Sequence, residues 1–307
     1  MRGDRLMAIR PVASASPGLV GLHQQAESLA DRLPPLLVAA ERVAATVAQG
    51  VHGRRRVGTG ETFWQFRPYQ PGDPTGKIDW RQSARSSHLF LRDQEWEAAE
   101  SVWLWADGSD SMAYHSSRAL PTKRDRALLL VLALGALLTR AGEQIALLGD
   151  QRRPLGGRPG MASLCEGLLS KGDLDPSIAP AQALPRHARL VLLSDFFTPL
   201  GELRDRLRSF VAMGVRGHLL QVLDPAEPAL PFAGRVRFEG FEQEGSALIG
   251  NVDSVRGRYQ VRLDAHRQGL RDLARSLGWT FASHVCDQPP EPALLALYTV
   301  LSTKAQG

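Results

Sequence analysis

Apolar runs alternate with helix-like stretches through the C-terminal two thirds of this chain. Five runs are apolar at most positions: VWLWAD, QIALLGD, RLVLLSD, HLLQVLD and WTFASHV. The stretches around them have helical periodicity and predict helices at Pro121–Ala141, Met161–Ser170, Leu200–Met213, Val255–Leu277 and Pro292–Thr303. Apolar strands that alternate with helices are typical of a parallel sheet covered on both faces. The sequence therefore predicts a doubly wound, mainly parallel α/β domain over residues 98–307.

The pattern before this domain is different. Residues 1–18 have the features of a loose tail, and helical periodicity follows from Leu19 to Gln49, interrupted by Pro34-Pro35. We predict a tail with helices over residues 1–49 and a separate segment of strands and loops over residues 50–97. Within the α/β domain, RRPLGG predicts a short antiparallel strand, and RVRFEGFEQEGSALIG alternates as a β-hairpin does.

The composition of the chain narrows the class of protein only in broad terms. With 43% hydrophobic and 22% charged residues, the chain is expected to be an ordinary soluble protein. Its longest apolar run, Ala127–Thr139, is shorter than the roughly 20 residues that span a bilayer. The N-terminus has no apolar run typical of a signal peptide, and the two cysteines, Cys165 and Cys286, are far apart. These features predict a cytoplasmic protein without a membrane span.

Two of the apolar strands are followed by oxygen-rich side chains. Asp107 closes the first strand, with Ser109 and Ser111 at alternate positions of the DGSDSM turn, and Asp195 closes RLVLLSD. Ligands of such sheets bind beyond the carboxyl ends of the strands, where the side chains from both strands can meet. Carboxylate and hydroxyl oxygens suit Mg²⁺ or Mn²⁺, although helix-capping serines would produce the same pattern. The four residues are therefore a candidate metal site.

The D-x-S-x-S turn resembles the metal-ion-dependent adhesion site of von Willebrand factor A domains. In that family the turn, a Thr from a later loop and an Asp at a further strand end bind a divalent cation that leaves one position open for a partner's carboxylate. The resemblance implies a von Willebrand factor A-like domain in which the four residues bind Mg²⁺ or another divalent cation. The Thr has no evident match, because the segment between Asp150 and Asp173 offers only Ser163 and Ser170.

The stretch RPYQPGDPTGKIDWRQSAR, residues 67–85, is dense in Arg, Asp, Pro and Gly. The spacing R-x-Y-x-x-G-D-x-x-x-x-I-D-W-R-x-x-A-R just before a D-x-S-x-S strand resembles the bacterial family called domain of unknown function 58. The charged and aromatic residues that carry this resemblance are Arg67, Tyr69, Asp73, Asp79, Trp80, Arg81 and Arg85.

The residue types in this motif indicate mainly a structural role. Pro71-Gly72-Asp73-Pro74 is turn chemistry. Asp79 and Arg81 flank Trp80, so we expect their side chains to share one face and to form ion pairs while Trp80 is buried. A partner-binding surface and a catalytic role are the alternatives.

The resemblance to domain of unknown function 58 also implies a function. Proteins of that kind are typically paired with AAA+ ATPases of the MoxR class in chaperone-like assembly or maturation of other proteins. We therefore expect a non-enzymatic interaction module whose partners are such an ATPase and an unknown client protein.

One alternative is a metal-dependent hydrolase or phosphotransferase that uses Asp107, although Ser109 stands where a D-x-D motif has its second Asp. A second is nucleic-acid binding through the basic loop at residues 54–56, although the net charge of +5 is spread along the chain.

Overall fold

The computed structural model describes residues 9–11, 35–49, 63–68, 80–84, 89–94, 101–170, 177–240 and 246–302. Its centre is a five-stranded sheet in which every neighbouring pair is parallel. In spatial order the strands are β10 (Thr280–Val285), β7 (Arg216–Leu223), β6 (Arg189–Ser194), β4 (Ser101–Ala106) and β5 (Gln144–Leu147). The predicted α/β class and its mainly parallel sheet are confirmed.

Helices cover both faces of this sheet. They are α3 (Lys123–Arg140), α4 (Gly157–Ser170), α5 (Leu200–Ala212), α7 (Asp253–Ser276) and α8 (Glu291–Ser302). Successive residues of a strand point to opposite faces, so β4 places Val102 and Leu104 in the core under α3, α4 and α8. Trp103 and Trp105 of the same strand lie in the second core, under α5 and α7. The near-continuous apolar runs of β4 and β6 exist because these central strands are buried on both sides.

The longest apolar run of the sequence forms the inner helix α3. Its residues are buried almost all around from Ala127 to Leu138. Thr122 caps its first turn, since the side-chain oxygen of Thr122 accepts a hydrogen bond from the Asp125 amide at 3.0 Å. Gly135 lets α4 approach closely, because a Cβ there would lie 2.8 Å from a methyl carbon of Leu164. None of the helices in the described ranges is long and apolar enough to cross a bilayer.

The N-terminal part adds a helix, α1, at residues 35–49. Ala40, Val43, Ala44 and Val47 recur at helical spacing and pack into the core with α3 and α8. The helix begins at Pro35, the second proline of the pair that was predicted to interrupt the helical stretch. The other predicted helix, before residue 34, lies outside the described residues.

Two small antiparallel sheets complete the described structure. One pairs β2 (Phe63–Pro68) with β3 (Phe90–Gln94), which are joined through the short helix α2 (Trp80–Ser83). The other contains the predicted hairpin, formed by β8 (Val236–Gly240) and β9 (Ser246–Ile249). The short helix α6 (Ala226–Ala229) lies between β7 and β8. The short strand predicted at RRPLGG is a single antiparallel bridge between Leu155 and Ile145.

The N-terminal tail differs from the prediction at one place. Ile9–Pro11 forms β1, which pairs antiparallel with the edge of β8. A segment of three residues is too short for an alternating pattern to be recognised in a sequence, and its pairing depends on a hairpin more than 200 residues away.

Candidate functional site

Three acidic residues directly follow three adjacent strands of the central sheet. Asp107 follows β4, Asp195 follows β6 and Asp224 follows β7. Because the strands are parallel, all three carboxylates lie at the same end of the sheet. Each of the three is buried. The predicted placement of Asp107 and Asp195 at the ends of adjacent strands is confirmed, and the structure adds Asp224 to them.

Asp107 fixes the turn that follows β4. One carboxylate oxygen, Oδ1, accepts a hydrogen bond from the Ser109 amide at 2.8 Å. The other, Oδ2, accepts one from the Ser194 hydroxyl at 2.6 Å, and that hydroxyl oxygen in turn accepts from the Phe196 amide at 2.9 Å. Asp107 therefore joins the end of β4 to the end of β6.

Asp195 lies on the other side of the same turn. Its Oδ2 accepts a hydrogen bond from the Ser111 hydroxyl at 2.7 Å, and Ser111 Oγ lies 3.2 Å from Ser109 Oγ. Its Oδ1 accepts from the Phe197 amide at 3.2 Å. The structure therefore brings together all four of the residues that the sequence suggested as metal ligands, while their binding of a cation stays a prediction.

A lysine lies beside Asp195. Lys123 is the first residue of α3, and its side chain is 0% exposed. Its Nζ lies 2.8 Å from Asp195 Oδ2 and 2.5 Å from Glu227 Oε1, and it stands 5.3 Å from the centre of the Phe197 ring. A buried ammonium ion needs such partners, because burial without them disfavours its charge.

Asp224 and Glu227 close the network on the side of β7. Asp224 Oδ1 accepts a hydrogen bond from the Ala226 amide at 2.8 Å, and the Asp224 amide donates to Glu227 Oε2 at 2.8 Å. Asp224 Oδ2 accepts from the Ser116 amide at 2.8 Å. The loop after β4 is thus tied to the end of β7 as well as to β6.

The charges of this network influence one another. Burial, together with the nearby charge of Asp195, raises the pKa of Asp107 to about 7, although hydrogen bonds from Ser109 and Ser194 oppose the shift. Burial also raises the pKa of Glu227 to about 7, although Lys123 opposes that shift. For Lys123, burial by itself lowers the pKa, but the charges of Asp195 and Glu227 outweigh it and raise the pKa above its usual value. The lysine therefore keeps its charge in the interior.

Hydrogen bonds within the protein already engage the oxygens that a divalent cation would need. Mg²⁺ demands about six oxygen ligands at short distance, and the donors here are oxygens of the right kind. However, both oxygens of Asp107 accept hydrogen bonds from the protein, and Asp195 Oδ2 accepts from Ser111 and Lys123. Within the described ranges, no group of three or more His, Cys, Asp or Glu side chains is arranged to hold a metal ion. The positive charge next to Asp195 is the ammonium group of Lys123.

Sequence reasoning missed Lys123, Asp224 and Glu227. Asp224 had a usable signal, because it ends the run HLLQVLD just as Asp107 and Asp195 end theirs. Lys123 and Glu227 had none, since each is a charged residue at the start of a helix and resembles a surface residue in the sequence. Their burial depends on the meeting of segments 104 residues apart.

The prediction that Trp80 is buried was wrong. Trp80 is 66% exposed, and Arg81 is exposed too. The prediction assumed that neighbouring residues alternate between two faces as in a strand, but Trp80–Ser83 forms a helical turn. Ser83 of that turn is buried, and its side-chain oxygen accepts a hydrogen bond from the Phe90 amide at 2.9 Å.

The rest of this motif is only partly described. Arg67 lies in β2, where it pairs with Leu91 of β3. Tyr69, Asp73, Asp79 and Arg85 lie outside the described residues, so the ion pairs predicted for them stay a prediction. The basic loop at residues 54–56 also lies outside the described residues.

The class defined by the fold is an α/β domain with a parallel sheet and a buried polar network at the carboxyl ends of its strands. Residues 65–269 match the model of one family, described as "Protein of unknown function DUF58". This match covers more than half of the chain, and the chain belongs to that family.

Two mycobacterial relatives extend over most of the chain. They are the uncharacterized protein Rv1480 of Mycobacterium tuberculosis and the uncharacterized protein Mb1516 of Mycobacterium bovis. Each is 28% identical over 270 residues, which cover 80% of this chain and 83% of the relative. Their descriptions name no activity.

One solved structure is similar at a low level. It is an aerotolerance-related membrane protein from Bacteroides fragilis, 14% identical, with a TM-score of 0.36 over 65% of this chain and 97% of that one. A likeness at this level carries no argument about the function of this chain.

Proposed function

We propose that this chain is a non-enzymatic protein-interaction module, an adaptor for a MoxR-class AAA+ ATPase in chaperone-like assembly or maturation of other proteins. Its membership of the DUF58 family agrees with the resemblance that implies this partner. The observation that carries the proposal is the buried network at the strand ends, which holds one exposed loop in place. A cytoplasmic location stays a prediction.

The exposed loop follows β4. Asp110, Ala113 and residues 116–119 face the solvent, whereas Ser111, Met112 and Tyr114 between them are buried. Hydrogen bonds fix the backbone of this loop: the Ser116 amide donates to the buried Asp224, and the Met112 amide donates to the Ser109 carbonyl oxygen at 3.0 Å. A loop held in one conformation loses little conformational entropy when a partner binds, which favours recognition.

The same geometry favours binding over hydrolysis by Asp107. A nucleophilic carboxylate must reach its substrate with a free oxygen. Asp107 is buried, and both of its oxygens already accept hydrogen bonds from Ser109 and Ser194. This supports a structural role for Asp107 in the adaptor.

Matched charge reversals at the two ends of the sheet test the proposal. Arg118 is exposed in the loop after β4, and Arg216 is exposed at the first residue of β7, at the opposite end. We expect R118E to weaken capture of a purified MoxR-class AAA+ ATPase from the same organism by at least tenfold, and R216E to leave it unchanged. Binding would be measured by biolayer interferometry with the wild-type chain as reference.

Two results would contradict the proposal. One is a wild-type chain that does not bind the ATPase, with or without ATP. The other is hydrolysis of aryl phosphate esters by the wild-type chain in Mg²⁺ that is lost in D107N, because it would establish the enzyme alternative.

A further inference from the structure

The ammonium group of Lys123 occupies the centre of the polar network. It contacts Asp195, which also accepts the Ser111 hydroxyl, and Glu227, which also accepts the Asp224 amide. It therefore links the turn after β4 to the ends of β6 and β7 through two carboxylates. A divalent cation at an adhesion-type site would make the same link between a hydroxyl-rich turn and a distal Asp.

The position of Lys123 is not explained by its helix. The first turn of a helix carries a partial positive charge, which repels a cation and attracts an anion. The carboxylates of Asp195 and Glu227 outweigh this repulsion, and the four-carbon stem of Lys123 fills the space beside them, since the side chain is 0% exposed.

From this geometry we infer that Lys123 Nζ is the built-in cation of this site, so that the wild-type chain holds its turn without a divalent ion. The second half of the inference concerns the oxygens around the amine. Once the amine and its stem are removed, Asp195, Glu227 and Ser111 present a set of hard oxygen donors, and the site becomes one for Mg²⁺ or Mn²⁺. The inference does not depend on the identity of the partner.

Two substitutions at the same position separate charge from space. Lys123→Ala removes the ammonium group and opens a cavity that an ion can enter. Lys123→Met removes the charge but keeps most of the stem, so the cavity stays filled. A control on the same helix is Arg140→Ala, because the Arg140 side chain is half exposed and far from the network.

The experiment combines thermal melting with calorimetric titration by Mn²⁺ and Mg²⁺. We expect wild type and R140A to give no saturable heat with either metal. Each of these two proteins should melt at the same temperature with EDTA as without it. We expect K123A to melt lower than wild type in EDTA, to bind Mn²⁺, and to gain at least about 5 °C in saturating Mn²⁺. K123M should also melt lower, but without any gain from Mn²⁺.

Three outcomes would overturn the inference. The first is saturable binding of Mg²⁺ or Mn²⁺ by wild type at millimolar concentration. The second is a lower melting temperature of wild type in EDTA. The third is a K123A variant that, like K123M, neither binds Mn²⁺ nor gains melting temperature from it. If K123A is too unstable to purify, the two wild-type measurements still decide whether the ammonium group replaces the metal.

Discussion

The two ends of helix α3 show how differently a cation behaves in the interior and at the surface. At the first residue, Lys123 is 0% exposed and contacts two carboxylates. At the last residue, Arg140 is 49% exposed and forms an ion pair with Glu41 of α1, which is 50% exposed. The helix dipole favours a cation at Arg140 and disfavours one at Lys123. The carboxylates therefore stabilise the charge of Lys123 although the helix dipole disfavours it. At Arg140 the helix dipole itself favours the positive charge.

The largest effect is expected from removing the buried charge. Lys123→Met should lower the free energy of unfolding by about 3–5 kcal/mol, because Asp195 and Glu227 lose their counter-charge in the interior. Urea denaturation followed by circular dichroism measures this difference. A loss below about 1 kcal/mol, the range of an exposed pair, would contradict the comparison.

Removing the carboxylates together with the lysine should restore much of that stability. We expect K123M/D195N/E227Q to regain about 2–3 kcal/mol relative to K123M, because the two carboxylates that lost their counter-charge are replaced by neutral amides. The same denaturation experiment measures it. If the triple variant is less stable than K123M, the defect of K123M is lost packing, and the charges of Asp195 and Glu227 are not its cause.

His218 is a buried base whose pKa is shifted by burial and by a positive charge, without a carboxylate partner among the described residues. Burial, together with the charge of Arg189, lowers the pKa of His218 to about 4. At pH 7 His218 is therefore neutral, whereas Lys123 is charged. The folded-state pKa of His218 lies below the unfolded value of about 6.5. The contribution of His218 to the free energy of unfolding is therefore complete above pH 6.5 and is lost as the pH falls through about 4.

We therefore expect the stability advantage of wild type over H218Q to shrink by about 3 kcal/mol between pH 7 and pH 4. Denaturation of both proteins in parallel across this range isolates the contribution of His218 from other titrating groups. An advantage that is constant with pH would mean that His218 is as accessible to protons in the folded chain as in the unfolded one.

The smallest effect is expected at the exposed end of α3. Arg140→Ala should change the free energy of unfolding by at most about 0.5 kcal/mol, since exposed ion pairs are screened and lose side-chain entropy. The effect should fall further in 0.5 M NaCl. A loss comparable to that of K123M would remove the distinction between the two ends.

The elements that the sequence predicted well are those with a local cause. Trp103 and Leu104 lie on opposite faces of one buried strand, and such runs are apolar at nearly every position. Ligand-binding side chains gather at the carboxyl ends of parallel strands, and this rule predicts that Asp107 and Asp195 lie at the same end of the sheet. The first inference needs only the residues of one segment, and the second needs the ends of two such segments and a general rule of parallel sheets.

The elements that were missed have causes distant in the chain. Lys123 is buried because Asp195 and Glu227 arrive beside it from segments 72 and 104 residues away. Ile9–Pro11 is a strand only because β8 offers an edge to it. Trp80 is exposed because its segment forms a helical turn, and four residues are too few to show a helical period. No local pattern carries such information.

Anomalous diffraction from wild-type crystals grown in 10 mM MnCl₂ would test most directly whether a lysine replaces the metal. We expect no manganese peak within bonding distance of Asp195, Ser109 or Ser111, and electron density for the Lys123 amine between Asp195 and Glu227. A manganese ion bound to Asp195 and the two serines, with Lys123 turned away, would contradict it.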